Sequence, residues 1–326
     1  MAANIQTVIY SGLGGKNEYA AAVDAMPSAT AIFLPTSPIE LWNEANGRLG
    51  LNDMIALKGK QVWLAGIRGD WGAAKIAALI DYWENKSGVA NLVAGYSVRD
   101  EWPISEQQNV GDDIALLHSL TNKPIWANIN PPGSAAAMAQ YFNFGTDINR
   151  YPNIFSGNLY PREASDTFSY STYTKTIADT AAMMAMMLDA YKNAPVYLSP
   201  ANGHVVGLIS QSFQQTCVNR DDRATLNTGY CVVDQALIDA QIRLMFGQGE
   251  YAYLSGASYQ RDGKQILQGN ATWYTWWDRG QDNGTRTNLS GGPSATARDN
   301  MRSWVNTANA NAKSNFTIVG GVVFPP

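Results

Sequence analysis

Residues 95–103 read GYSVRDEWP, an apolar run that ends in the adjacent carboxylates Asp100 and Glu101. The apolar part is typical of a buried β-strand. Two adjacent carboxylates are costly to bury unless they are solvated, paired or used in chemistry. Similar apolar runs occur on both sides of this stretch, so it is the starting point for a fold prediction along the whole chain.

Eight short apolar runs, rich in β-branched and aromatic residues, follow one another at fairly even spacing. They predict strands at 7–11, 31–35, 61–66, 92–98, 124–128, 154–160, 195–199 and 251–255. Continuous apolar runs are typical of strands that are covered on both faces, as in a parallel sheet. Helical patterns fill several of the gaps, and this alternation predicts an α/β fold, a (β/α)8 TIM barrel.

The C-terminal part departs from the alternation. Segment 261–294 is rich in Gly, Asn, Asp and Thr, and it predicts a long aromatic-rich loop after strand eight. Its aromatic residues are Trp273, Tyr274, Trp276 and Trp277. We expect a last helix at 295–312 and a short extra strand at 316–324. The Met-rich stretch 176–191 predicts a helix whose methionines fill the core. No repeat, charge block or linker divides the sequence, so residues 1–326 are predicted to form a single domain.

Composition excludes several classes of function. Hydrophobic residues make up 45% and charged residues 15% of the chain, which is typical of a globular protein and not of disorder. The net charge is −4 and the basic residues are scattered, so no nucleic-acid partner is expected. No run of about 18 apolar residues predicts a membrane span.

The sequence also bears on the compartment. The N-terminus lacks the basic and apolar regions of a signal peptide, so export by that route is not expected unless a signal has been removed. A composition rich in Ala, Asn, Gly, Ser and Thr but poor in Lys favours an extracellular or virion-associated protein. Cys217 and Cys231 flank a polar segment, and both a disulfide and two reduced thiols remain open.

Barrels of this kind have their active site at the carboxyl ends of the strands, so the polar and aromatic residues there are site candidates. Asp100 and Glu101 are the expected catalytic residues. The expected substrate-binding residues are Arg68, Asp70, Tyr96, Arg99, Trp102, Asn128, Tyr160, Arg162, Glu163, His204, Trp273 and Trp276. Amides and carboxylates bind sugar hydroxyls and aromatic rings stack on sugar faces, so this set favours a carbohydrate ligand.

Several of these residues have a structural interpretation as well. An ion pair between Arg99 and Asp100 would explain both residues without a ligand. Tyr160 and Trp126 fit a core position as well as a sugar subsite. The loop tryptophans would also serve to pack the last helix against the barrel.

Stretch 95–103 resembles the strand-four motif of (β/α)8 glycoside hydrolases of the clan A type, and residues 114–128 resemble their fourth helix and fifth strand. In that clan an Asn-Glu pair ends strand four and the Glu is the general acid/base. The resemblance implies that role for Glu101 and puts Asp100 in the place of the Asn.

The clan's second carboxylate is a Glu at the end of strand seven, and the predicted strand 195–199 and the residues up to His204 contain no carboxylate. Four substitutes are possible: Asp70, Asp100, Glu163 and Asp262. An inverting enzyme would accept a partner that lies ~6.5–9.5 Å from the acid.

These observations predict a glycoside hydrolase that acts on a polysaccharide or glycoconjugate, with Glu101 as general acid. The alternative is a non-catalytic carbohydrate-binding barrel, such as an adhesin or a virion surface protein. A third hypothesis is a lyase that uses Tyr160 or Arg162. No cofactor is expected. No metal site is expected either, because two distant histidines and two loop cysteines do not form a zinc pattern.

Overall fold

The computed structural model describes residues 7–11, 23–39, 58–161, 163–165, 176–215, 228–230, 233–275, 286–288 and 295–315. Eight of the described strands are parallel to their neighbours and close into a barrel, with helices between them on the outside. This arrangement confirms the predicted (β/α)8 barrel. That residues 1–326 form one domain stays a prediction.

The barrel strands are β1 (Thr7–Ser11), β2 (Ala31–Pro35), β3 (Gln61–Ile67), β4 (Val93–Asp100), β5 (Ile125–Ile129), β6 (Ile154–Leu159), β7 (Val205–Gln211) and β8 (Ala271–Thr275). The described α-helices are α1 (Ala73–Asp81), α2 (Gln107–Leu120), α3 (Ala135–Tyr141), α4 (Ile177–Lys192), α5 (Gln235–Met245) and α6 (Ala295–Asn315). The order around the barrel is β1, β8, β7, β6, β5, β4, β3, β2 and back to β1.

Shorter elements lie between these. The 3-10 helices are Gly69–Trp71, Ala90–Leu92, Ile104–Glu106, Ile148–Arg150, Pro200–Asn202, Gly249–Ser255 and Ala257–Tyr259, and a π-helical turn, Tyr82–Lys86, follows α1. Three antiparallel ladders pair Glu163–Ser165 with Thr228–Tyr230, Phe213–Gln215 with Arg286–Asn288, and Gln260–Arg261 with Lys264–Gln265.

The predictions for strands seven and eight are wrong. Segment 195–199 is an irregular connection, and the seventh strand is β7. Segment 251–255 lies in the 3-10 helix Gly249–Ser255, where Tyr251 and Leu254 are buried three residues apart, the spacing of a 3-10 helix. Strand β8 therefore lies inside the segment that was predicted as a loop. The predicted strand at 316–324 lies outside the described residues.

The interior of the barrel is filled with apolar side chains. The buried cluster there contains Val8, Ala31, Phe33, Trp63, Trp126, Ile154, Val205 and Ile209. Its three aromatic rings lie against one another, with ring centroids 4.8–5.9 Å apart. Each such pair contributes about 0.5–1.5 kcal/mol beyond the area that it buries. The interior is thus a packed core and not a pore, so the site must lie at an end of the barrel.

Tight packing inside the barrel explains one glycine. A Cβ atom at Gly95 would lie 2.4 Å from the Trp63 ring and 2.3 Å from the carbonyl oxygen of Pro124. Both distances are below van der Waals contact, so Gly95 provides the space that the Trp63 ring occupies.

The outer core lies between the strands and the helices. Helix α4 begins with a capping box in which Thr176 accepts a hydrogen bond from the backbone of Asp179 while the Asp179 carboxylate accepts one from the backbone of Thr176. Met184 and Met187 of this helix are fully buried, which confirms the predicted core role of the Met-rich stretch. Helix α6 covers 295–315 and confirms the predicted last helix.

Candidate active site

Polar side chains from three neighbouring strands meet at the carboxyl end of the barrel. Asp100 is the last residue of β4 and Glu101 follows it, whereas Asn128 lies near the end of β5 and Asn158 near the end of β6. Both asparagines are buried, and Glu101 is exposed. The strand-four motif therefore lies next to a set of buried amides.

An irregularity in β4 aims Asp100 toward the barrel axis. Ser97 lies opposite Trp126 and Asp100 lies opposite Asn128, so β4 has one more residue than β5 over this interval. This extra residue is a β-bulge, which re-aims the side chains that follow it. Because of it, Arg99 contacts residues outside the barrel while Asp100 contacts Asn128 inside the mouth.

The backbone of Glu101 is left-handed, with φ 49°. A glutamate in this region costs on the order of 1–3 kcal/mol, and such residues often lie at functional sites. The Glu101 N–H donates to the carbonyl oxygen of Asn128 at 3.0 Å, which holds the turn against β5. Bulge and turn together present two consecutive carboxylates at the same end of the barrel.

A chain of hydrogen bonds connects these carboxylates to the barrel core. The Trp126 indole N–H donates to Ser156 Oγ at 2.6 Å, and Ser156 Oγ donates to Asn128 Oδ1 at 2.8 Å. Asn128 Nδ2 donates to Asp100 Oδ1 at 2.6 Å and to Asn158 Oδ1 at 3.0 Å. Asn158 Nδ2 in turn donates to Glu101 Oε1. Each carboxylate thus accepts an amide hydrogen bond.

A cleft of ≈ 260 Å³ opens beside the two carboxylates. Its lining residues are Gly66, Arg68, Arg99, Asp100, Glu101, Trp102, Pro103 and Glu106. They combine carboxylates and guanidinium groups with one aromatic residue, a lining that suits a polar ligand.

Arg99 is held by ion pairs on its outer side. It pairs with Glu106 and, at 3.3 Å, with the buried Asp113 of α2, and it does not pair with Asp100 as the structural interpretation of the sequence suggested. Burial raises the pKa of Asp113, although the Gly69 N–H and the Arg99 guanidinium favour its charged form. Arg99 therefore ties the strand-four turn to α2, which limits its freedom to bind a ligand.

Arg68 and Asp70 lie on the rim of the mouth after β3, joined by an ion pair of 2.8 Å. About half of each side chain is exposed, so the pair contributes little to stability and remains accessible to a ligand.

Tyr96 and Trp102 are placed differently from the prediction. Tyr96 is fully buried and faces the helix layer, where its hydroxyl donates to Glu84 Oε1 at 2.8 Å. Trp102 borders the cleft but its side chain is buried, and its indole N–H donates to Gln107 Oε1 at 2.8 Å. Tyr96 thus lies outside the mouth, and Trp102 anchors the turn to α2.

His204 and Trp273 do not lie at the mouth either. His204 comes just before β7, at the amino end of the barrel, where Nδ1 is 2.9 Å from the carbonyl oxygen of Pro152. Trp273 lies in β8, is fully buried, and donates its indole N–H to Asn309 of α6 at 2.8 Å. Packing of the last helix, the structural interpretation, is therefore correct for Trp273.

The remaining predicted residues lie after β6 and β8. Tyr160 directly follows β6 and is buried. Glu163 belongs to a two-stranded ladder, opposite Tyr230, and its side chain is outside the described part of the chain. Arg162, Trp276, Trp277 and the two cysteines also lie outside the described residues.

The described carboxylate that lies nearest to Glu101 in the hydrogen-bond chain is on β4. The seventh strand ends in Gln211 and has no carboxylate at its end. Asp262 lies at the amino end of the barrel, where it accepts hydrogen bonds from Tyr197 and Ser199. Of the four substitutes considered, Asp100 shares the hydrogen-bond chain with Glu101, and Asp70 lies on the rim.

Sequence reasoning missed Ser156, Glu106 and Asp113. Ser156 carried a readable signal, because Ser156 and Asn158 are two residues apart in an otherwise apolar strand and so face the same side. No comparable signal marked Glu106 or Asp113, because their contacts depend on how α2 packs against β4.

The described residues contain no group of three or more His, Cys, Asp or Glu side chains arranged to hold a metal ion. Within the same residues, none of the helices has both the length and the apolar character that crossing a membrane requires.

No protein-family model matches the sequence. No curated protein matches it either. Among solved structures, a GH113 β-1,4-mannanase is similar over 93% of this chain and 99% of its own, with 9% identity and a TM-score of 0.45. A fungal β-1,4-galactanase is similar over 85% of this chain and 90% of its own, with 11% identity and a TM-score of 0.44. The YdjI aldolase from Escherichia coli K12 is similar over 97% of this chain and 93% of its own, with 8% identity and a TM-score of 0.41. At these identities the likeness concerns the barrel fold alone.

Proposed function

We propose that the protein is a glycoside hydrolase that acts on a polysaccharide or glycoconjugate, with Glu101 as the general acid. The observation that carries this proposal is the presentation of two consecutive carboxylates, each bound by a buried amide, beside a polar cleft at the carboxyl end of the barrel. Barrel enzymes have their reactive groups at this end.

The chemistry needs two carboxyl groups with different tasks. Protonated Glu101 gives its proton to the glycosidic oxygen as the bond between that oxygen and the anomeric carbon breaks. A water oxygen bonds to the anomeric carbon and loses its proton to an ionised carboxylate. Asp100 is the candidate for that second group, or alternatively it positions the sugar through its hydroxyls. Arg68 and Asp70, on the rim, would bind further hydroxyls.

The second candidate is a non-catalytic carbohydrate-binding barrel. The observation that favours it is the end of β7, where Gln211 lies close to the place that the clan gives to a catalytic Glu. In this case the cleft would bind a sugar with the same carboxylates and guanidinium groups, and no bond would be broken.

One experiment separates the two candidates. Release of reducing ends from a broad polysaccharide panel is measured for the wild type, for Glu101→Gln and for Glu250→Gln. Glu250 pairs with Arg243 at 2.9 Å, outside the cleft, and is therefore a matched control. We expect Glu101→Gln to lower turnover by about 10²–10⁴-fold, because general acid catalysis contributes that much. Turnover by Glu250→Gln should stay at the wild-type level.

One result would contradict the role of Glu101 and another the hydrolase itself. Unchanged turnover in Glu101→Gln would remove this residue from the mechanism. No release from any polysaccharide, together with saturable binding of a sugar by both the wild type and Glu101→Gln, would favour the binding barrel.

A further inference from the structure

The hydrogen-bond chain beneath the carboxylates has a fixed direction. It begins at the Trp126 indole, whose N–H donates and has no acceptor function. Ser156 Oγ accepts this bond, so its own hydrogen is directed to Asn128 Oδ1. Each of the two asparagines that follow accepts a hydrogen bond with its amide oxygen and donates through its NH₂ group.

This direction determines how both amides lie. The Asn128 oxygen accepts the hydrogen bond from Ser156, so the Asn128 NH₂ group faces Asp100 and the oxygen of Asn158. The Asn158 oxygen is used in turn, so its NH₂ group faces Glu101. Flipping Asn128 would turn its buried oxygen toward the oxygens of Asp100 and Asn158, and flipping Asn158 would turn its buried oxygen toward Glu101 and its NH₂ group toward that of Asn128, at about 1–3 kcal/mol for each unpaired group.

We propose that Trp126 and Ser156 are positioning residues that act on the two carboxylates through Asn128. Both residues are fully buried beneath the cleft, so neither touches a bound ligand. Their task is to keep Asn128 in the orientation that supplies an amide N–H to Asp100 and, through Asn158, to Glu101. Such buried networks polarise their members and hold a single arrangement.

The chain also assigns different tasks to the two oxygens of Glu101. Oε1 accepts the Asn158 amide, and a proton there would face a donor. The structure gives Oε2 no hydrogen-bond partner among the described residues. The proton that the general acid transfers therefore resides on Oε2. This last step rests on the proposed hydrolase activity, whereas the positioning of the amides does not.

The first test measures the amides directly and needs no turnover. Hydrogen exchange of the Asn128 and Asn158 carboxamide groups is followed by NMR in the wild type, Ser156→Ala and Trp126→Phe. Loss of one buried hydrogen bond should speed exchange by about five- to tenfold. Ser97→Ala and Trp273→Phe are the controls. Ser97 is a buried serine that does not belong to the hydrogen-bond chain, and Trp273→Phe removes an indole hydrogen bond to Asn309, which does not belong to it either. Both should exchange at the wild-type rate.

The second test separates positioning from packing. On a substrate from the polysaccharide panel, Ser156→Ala should lower kcat about tenfold and leave KM within about twofold, because misplaced reacting groups affect the chemical step. Ser156→Cys keeps the shape and a weak donor, and it should recover part of the loss. The two controls should keep the wild-type kcat.

The outcomes are distinct. Unchanged carboxamide exchange in both Ser156→Ala and Trp126→Phe would overturn the proposal, and so would equal acceleration in the controls. Should Trp126→Phe fail to fold, Ser156→Ala and Ser156→Cys carry the test alone. Faster exchange in a protein that releases no sugar would support the positioning chain while contradicting the hydrolase.

Discussion

Glu101 and Asp262 are the two non-glycine residues with positive φ in the described part of the chain, and they lie at opposite ends of the barrel. Asp262, with φ 54°, is followed by Gly263, with φ 70°, in a tight hairpin between two short strands. Asp-Gly is a favoured pair for such a turn, because both residues tolerate left-handed backbone. Glu101 is followed by Trp102, and glutamate has no such preference.

The two carboxylates also differ in what they bind. Asp262 accepts hydrogen bonds on both oxygens, from Tyr197 and from Ser199, and these bonds hold its pKa below the usual range. Glu101 lines the cleft and accepts a hydrogen bond on Oε1, whereas no described residue bonds its Oε2. Fully satisfied groups on a favoured turn stabilise a fold, whereas strain and an open oxygen are typical of a functional site. The amino end of the barrel thus has a favoured, fully bonded turn, whereas the carboxyl end has the strained turn on which the proposed function depends.

The first test of this contrast measures how the free energy of unfolding changes as the pH falls. At the amino end, His118 contacts the carbonyl oxygen of Tyr151 at 3.1 Å, and His204 contacts that of Pro152. Burial lowers the pKa of both histidines, and His118 lowers that of His204 further. The unfolded chain therefore binds more protons than the folded chain once the pH falls below about 6.5. Stability is complete above that pH and decreases below it, by up to about 1.4 kcal/mol per pH unit for each histidine.

Urea denaturation at pH 7.5, 6.5 and 5.5 measures this decrease. The free energy of unfolding of the double variant His118→Gln/His204→Gln should depend less steeply on pH than that of the wild type, although the variant is less stable at pH 7.5. If the free energy of unfolding changed equally with pH in the two proteins, the histidines would not be the cause of its pH dependence.

A glycine substitution at each turn tests the contrast in the backbone. Glu101→Gly should exceed Glu101→Ala in free energy of unfolding by about 1 kcal/mol, because both variants lose the bond from Asn158 and only glycine adopts left-handed backbone without strain. Both variants should lose turnover. Asp262→Gly should instead lower the melting temperature, because the turn was already favourable and the bonds from Tyr197 and Ser199 are lost. Equal stability of Glu101→Gly and Glu101→Ala would show that the turn at the mouth stores no strain.

The smallest effect is expected at Tyr96, which lies in β4 close to the site but faces the helices. Tyr96→Phe removes the bond to Glu84, which keeps a second bond from Thr121 at 2.6 Å. We expect a loss of about 0.5–1 kcal/mol in the free energy of unfolding and no change in turnover. Reduced turnover at unchanged stability would place Tyr96 in the site after all.

The sequence was sufficient for the first six strands, whose predicted bounds lie within two residues of β1 to β6. It failed at strands seven and eight, where apolar content was mistaken for burial in a sheet. Tyr197, in the segment predicted as strand seven, is 57% exposed. The connection from α5 to β8 holds 3-10 helices and a hairpin, which no even spacing of apolar runs predicts.

For the site, the motif located the two carboxylates and Asn128 correctly at the carboxyl end of the barrel. It did not reveal that Tyr96 faces outward, because the bulge after Ser97 changes which residues point to the axis. His204 and Trp273 were misplaced as a consequence of the wrong strands. Contacts such as Arg99 with Asp113 depend on three-dimensional packing, which a sequence pattern does not encode.

The fit between Trp63 and Gly95 has an evolutionary consequence. Since the indole ring occupies the space that a Cβ atom at position 95 would need, the two positions are not free to diverge independently. A descendant that keeps the tryptophan must keep the glycine, and an alanine at 95 would need both a smaller residue at 63 and a shift of the Pro124 carbonyl group. A change at position 95 would thus mark a barrel whose interior and whose fifth strand had both been rearranged.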